Sequence, residues 1–199
     1  MLRQLLLAAL AGMWASAGYA QSTCIGCTFS PAASAPAASQ RSAPQRYAVT
    51  AAPRHCRTNA RYCLEADSGQ RRLSLYENGR GVIAWDIIMQ SPGRVMRGQV
   101  IDIDLSPSWC PTPSIRRAYP DLPPGCLPPG HPQNAMGEVK ISMNGDFAGT
   151  AIRIHDTRGF GPEWPNEDSA GCVRVLRLKS ELLPRIGYGR AGAVEVVFF

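Results

Sequence analysis

The sequence predicts a mainly β domain, a sandwich or barrel with one or two short helices, on three observations. Apolar and polar residues alternate in short runs from Arg71 onward, glycine- and proline-rich turns separate those runs, and only one segment carries a helical repeat. At 199 residues there is room for one domain of ordinary size with appendages.

Residues 1–20 read as a secretory signal: Met1-Leu2-Arg3 is a positive start, Leu5 to Ala15 a short apolar run, and Gly18-Tyr19-Ala20 a set of small residues suited to cleavage. The run is too short to span a bilayer and no other approaches that length, so no transmembrane anchor is expected. Cys24 follows Gln21-Ser22-Thr23 in place of a lipoprotein box, so no acyl anchor is expected either. Residues 21–53 are rich in Ala, Ser and Pro and bury too little apolar surface to offset ordering, which makes them a flexible linker. Residues 54–69, with Cys56 and Cys63, form a disulfide-stapled lead-in, and 70–199 the folded domain.

Within that domain, Arg72 to Tyr76 and Gly81 to Met89 pair as a hairpin, because Asn78-Gly79 between alternating runs is a strong turn signal. Further strands are expected at Gln99 to Leu105, Val139 to Met143, Ala151 to His155 and Ala193 to Phe198. Leu178, Leu182 and Ile186 recur at helical spacing, and Gly187 supplies a stop, so a helix is expected over Leu178 to Ile186.

The formal net charge of +6 is carried almost wholly by arginine. A basic exported protein is drawn to anionic polymers or membrane surfaces. The arginines never form a run with interleaved aromatics, so nucleic-acid binding lacks its usual footprint. Seven cysteines in an exported chain leave one over after three disulfides. Cys56 with Cys63, Cys110 with Cys126 and Cys24 with Cys27 are near enough in sequence to pair, although six cysteines allow fifteen connectivities. The Cys24-Ile25-Gly26-Cys27 spacing also resembles a redox or metal motif, but it sits in a tail without a helix pattern. Cys172 is left as the free thiol.

Chemistry concentrates in Ile154-His155-Asp156-Thr157 and Ser169-Ala170-Gly171-Cys172-Val173-Arg174. A thiol attacks a carbonyl as its thiolate, and an imidazole is the usual partner. Alone, a cysteine is more often a small buried hydrophobe and a histidine a satisfied core residue. Their joint occurrence in one Ser-x-Gly-Cys setting favours Cys172 as nucleophile and His155 as general base and acid. On a strand, Ile152 and Ile154 enter the core while Arg153 and His155 face the other way; Asp156 then points away from His155, and a backbone carbonyl is left to orient the imidazole. Ser169 braces the turn, Gly171 lets backbone approach substrate, N–H groups near Cys172 can hold an oxyanion, and Arg174 grips a carboxylate or, the favoured reading, braces the loop. Phe160 and Trp164 in the intervening loop either shape a pocket or pack on the sheet.

These residues resemble the signature of the L,D-transpeptidase (YkuD) family, a His-Gly/Asp-Thr followed after a loop by Ser/Thr-x-Gly-Cys-Ile/Val-Arg/Asn. The resemblance covers about residues 70–199. Ser106-Pro107-Ser108-Trp109, Pro113-Ser114-Ile115 and Pro132-Gln133-Asn134-Ala135-Met136-Gly137 are similar to segments of the subgroup of larger periplasmic members, in the same order; Trp109 itself is read as packing. The resemblance implies a YkuD-like β sandwich or barrel and a cysteine-dependent acyltransferase of the periplasm or cell wall, acting on peptidoglycan stem peptides with no metal and no organic cofactor. Cys172 would take the carbonyl of the third stem residue, release D-Ala, and pass the acyl group to a second stem as a 3–3 cross-link. Ala170 stands where many members have histidine, and the loop from 156 to 168 is short for the family. Water as acceptor would give an L,D-carboxypeptidase, and a lipoprotein amine an anchoring or releasing enzyme. A catalytically silent wall-binding module, with Cys172 in a disulfide, is the reading from another class.

Overall fold

The computed structural model describes residues 45–57, 59–157, 169, 171–188 and 192–199. Expectations for residues 1–44, including the signal, most of the linker and the Cys24–Cys27 pair, lie outside them. So do those for Phe160 and Trp164.

Among the described residues nine strands follow in chain order: β1 (Arg46–Tyr47), β2 (Tyr62–Asp67), β3 (Arg72–Glu77), β4 (Arg80–Ile88), β5 (Met96–Asp104), β6 (Lys140–Met143), β7 (Ile154–Thr157), β8 (Val173–Leu176) and β9 (Val194–Phe198). Helix α1 (Pro113–Ala118) lies between β5 and β6, and α2 (Leu183–Ile186) precedes β9. Neighbouring strands run β1-β4-β3-β2-β9-β5-β6-β7-β8, and β8 pairs back onto β4 through Ile87 with Val175 and Ile88 with Arg174. The strands from β4 round to β8 therefore close on themselves, with β1 as a flank. The mainly β expectation holds, and closure leaves few open edges.

Closure depends on the two longest strands. β4 pairs with β3 along its first part and with β8 at its end. β5 pairs with β9 over Met96 to Gln99 and with β6 from Val100 to Asp104, with a register shift between Val100 and Asp102. That irregularity bends β5 from one layer to the other. Gly98 is needed just before it, since a Cβ there would stand 2.1 Å from the Asn144 carbonyl oxygen. Inward residues such as Leu64, Leu75, Ile87, Val100, Ile141, Ile154, Val175 and Val196 are fully buried and form one core.

The hairpin turn has Asn78 at φ 49° and Gly79 at φ 74°, the doubly positive geometry whose twist matches antiparallel strands. Other boundaries differ. β7 begins at Ile154 and not Ala151, because the backbone before it is engaged locally: Thr150 Oγ1 accepts the Ile152 N–H, and the Arg153 guanidinium donates to the carbonyls of Thr150 and Ile152. The expected helix at Leu178 to Ile186 is a wider π-type turn over Leu178–Leu182 followed by α2. Pro184 explains the break, having no N–H to donate and a ring that crowds the preceding turn. Helix α1, not foreseen, opens with Thr112 accepting the Ile115 N–H and a proline in its first turn.

The boundary drawn at residue 70 falls inside the sheet. β2 lies between β3 and β9, with Tyr62, Leu64 and Ala66 on the core side. Glu65 hides the strand in the sequence, as an acidic residue in what becomes a buried position. Its carboxylate accepts the backbone N–H groups of Arg54, His55 and Cys56, at 3.1 Å for the first and 2.9 Å for the last. Glu195 on β9 does the same for the Arg57 N–H at 2.7 Å. Residues 54–57 are thus tied across the outer face of β2 and β9, and the Cys56–Cys63 disulfide closes the tie.

Candidate active site

β7 and β8 run parallel, pairing Ile154 with Val173, His155 with Arg174 and Asp156 with Val175. Paired residues of a parallel ladder share a face. His155 and Arg174 therefore stand side by side on one face, and Asp156 with Val175 on the other. Cys172 immediately precedes β8, where the Val173 N–H donates to the Arg153 carbonyl at 2.8 Å.

The turn entering β8 is held by its own residues. Ser169 Oγ donates to the Cys172 carbonyl and accepts the Gly171 N–H at 3.2 Å. Gly171 has φ 109°, a backbone conformation that side-chain-bearing residues rarely adopt. Cys172 is half-buried and is the free cysteine among the described residues; its Sγ lies 3.5 Å from the Ala151 carbonyl oxygen. Cys110 and Cys126 form the second disulfide, so both pairings foreseen within these residues are present. Such bonds are compatible with an oxidising compartment.

His155 is 3% exposed, and its Nδ1 lies 2.8 Å from the main-chain oxygen of Asp156. A carbonyl only accepts, so Nδ1 carries the hydrogen and Nε2 keeps its lone pair. Burial lowers the His155 pKa to about 4; the Asp156 carbonyl opposes this and the Arg174 charge adds to it. Burial also pushes the Cys172 thiol upward, against a backbone hydrogen bond and charge from Arg153 and the charge of Arg174. At neutral pH both groups rest uncharged.

The Asp156 carboxylate is turned elsewhere. Its Oδ1 accepts the N–H groups of Thr157 and Leu178, at 3.1 and 3.3 Å, so it holds the start of the turn after β8. Burial raises its pKa. Gly137, at φ 65°, packs so close that a Cβ would meet the Asp156 backbone at 2.8 Å. The loop carrying Gly137 is pinned by buried Asn134, whose Nδ2 donates to the carbonyls of Pro107 and Pro128 at 2.9 and 3.0 Å while Oδ1 accepts the Met136 N–H. Asn134 thus joins two of the segments singled out in the sequence.

A family model for the L,D-transpeptidase catalytic domain, YkuD, matches residues 61–185. The chain belongs to the YkuD family. The family acts on peptidoglycan peptides. No curated protein matches the sequence. Among solved structures, a mutant of the Enterococcus faecium L,D-transpeptidase is 16% identical with a TM-score of 0.47, the match covering 69% of this chain and 49% of that one. Bd1075 of Bdellovibrio bacteriovorus is 16% identical (TM-score 0.44; 70% and 48% covered), and an L,D-transpeptidase from Mycobacterium smegmatis 10% identical (TM-score 0.44; 70% and 59% covered). The chain spans about half the length of the first of these proteins.

Arg153 is the residue of this YkuD domain that sequence reasoning left without a role. It lies just before β7, and its backbone and charge act on the Cys172 thiol because β8 runs alongside. No helix among the described residues is long and apolar enough to cross a membrane.

Proposed function

We propose that the chain is a peptidoglycan L,D-transpeptidase that works through a Cys172 thioester and forms 3–3 cross-links in the periplasm or cell wall. The observation that carries this reading is the free Cys172 at the mouth of β8, beside the strand on which His155 keeps Nε2 unprotonated. As the thiol sulfur bonds to the carbonyl carbon of the third stem residue, Nε2 takes its proton, and neighbouring backbone N–H groups hold the oxyanion. The tetrahedral species collapses, the C–N bond to D-Ala breaks, and His155 returns the proton to the departing amine. The amine of a second stem then attacks the thioester, loses a proton to His155, and displaces the thiolate, which recovers that proton.

Because both groups rest uncharged, the thiolate forms during attack and does not stand as a preformed ion pair. Arg153 and Arg174 supply positive charge where the sulfur becomes negative. Ser169 and Gly171 fix the turn that presents the sulfur, and Arg174 braces β8 beside His155. Incubating the mature protein with tetrapeptide muropeptides tests the reading by product mass. A cross-linked dimer lacking one D-Ala is expected. Tripeptide alone would make the enzyme a carboxypeptidase, and unchanged substrate would remove the proposal.

A further inference from the structure

A cavity of about 570 Å³ lies away from β7 and β8, beneath the loop closed by the Cys56–Cys63 disulfide. Arg57 and Arg61 reach it from that loop, Arg97 and Gly98 from β5, and Glu195 from β9. In the ring of strands, β6 and β7 separate β5 from β8. None of its lining residues takes part in the chemistry at Cys172.

We propose that this cavity is a second binding site, for an oxyanion, carboxylate or phosphate, carried on a body the size of one or two sugar or amino-acid residues. The charged residues of its lining are three arginines and one glutamate, a formal net charge of +2. Glu195 is already committed: it accepts the Arg57 N–H and lies 3.5 and 3.7 Å from the guanidinium groups of Arg57 and Arg97. A carboxylate between two arginines here shows that their spacing suits an oxyanion. The Arg57 side chain remains 71% exposed, and the Arg61 guanidinium, over the Tyr62 ring, has the half-buried Glu77 at 3.8 Å, a pair worth little beside water. These donors are available to a ligand, and arginine forks suit planar or tetrahedral oxyanions.

Preorganisation comes from the anchors on either side of Arg57 and Arg61. The disulfide joins residues flanking Arg57 and Arg61, the Ala60 N–H returns to the Arg57 carbonyl at 3.2 Å, and the Arg61 carbonyl accepts the Asn78 N–H at 2.7 Å. Donors anchored at these points before binding lose less entropy when ligand arrives. The volume lies within the usual range for small-molecule sites.

Three sugars of one ring type test the site by titration of the intact mature protein: glucuronic acid bears a carboxylate, glucose 6-phosphate a phosphate, and glucose neither. Saturable binding is expected for at least one anionic sugar, at least tenfold tighter than for glucose, and which one binds identifies the oxyanion. The double variant Arg57→Gln, Arg61→Gln should weaken that binding tenfold or more while its melting temperature and its labelling at Cys172 stay near wild type; Cys172→Ala should bind as wild type does. Equal affinity for glucose, no saturable binding of either anion, or binding untouched in a folded double variant would overturn the proposal. The outcome is independent of whether Cys172 performs acyl transfer.

Discussion

Glu65 and Glu195 on one side of the ring and His155 on the other are each less than a tenth exposed, and each has a cysteine nearby. Their surroundings differ. The two carboxylates accept backbone N–H groups from the segment laid over them, and the neighbouring cysteine is consumed in a disulfide. His155 donates one hydrogen bond to a carbonyl, keeps a second nitrogen unoccupied by any proton, and faces arginine charge that disfavours its cation. Burial with matched partners makes structure; burial that leaves a titratable atom poised makes a site.

Substitutions at the two cysteine regions should break this comparison cleanly if it is wrong. Cys172→Ala should abolish turnover while thermal melting stays near wild type, since one small side chain replaces another at a half-buried position. Replacing Cys56 and Cys63 together with serine should cost about 2 kcal/mol of stability, from the loop entropy released, yet retain turnover wherever the protein is folded. Inactivity of a folded disulfide variant would join the two regions functionally.

His155→Gln should lower kcat on the order of a hundredfold or more, as expected for loss of a general base. The pH dependence is a sharper probe. A pKa of about 4 places the acid limb of kcat/KM near pH 4, well below the ordinary imidazole value. The same depression makes stability fall as pH drops from about 6.5 towards 4, because the unfolded chain binds the proton first, by about 3 kcal/mol in all. Asp156, with a raised pKa, works in the opposite sense, so the contribution of His155 is the difference between wild type and His155→Gln in denaturant melts across that window. A parallel pH profile in the variant would deny the burial argument.

Glu65→Gln should cost about 2 kcal/mol of stability, since an amide oxygen serves the three N–H groups less well than a carboxylate. Its kcat should be unchanged. Asp156→Asn should stay within a fewfold of wild-type kcat, because the carboxylate holds Leu178 and does not touch the imidazole. A loss matching that of His155→Gln would make Asp156 the orienting carboxylate.

Much of this contrast was readable in the residues themselves. Asn78-Gly79 announced the hairpin, strand parity separated His155 from Asp156, and the odd cysteine count left one thiol over, assigned to Cys172. β2 was missed because Glu65 reads as solvent-facing until residues 54–57 are known to cover it. The π-type turn before α2 was missed because leucine spacing does not register the backbone consequence of Pro184. The depressed His155 pKa follows from burial by strands distant in sequence, which no local pattern encodes.

The central claim is that Cys172 is a free, accessible nucleophile able to form a thioester. Intact-protein mass spectrometry after incubation with a carbapenem tests it most directly, since the strained lactam offers an activated carbonyl to a thiol. The account predicts one drug-sized addition to the wild-type protein, much less with benzylpenicillin, and none in Cys172→Ala. An unmodified wild-type protein whose Cys172 is titratable as a free thiol would contradict it.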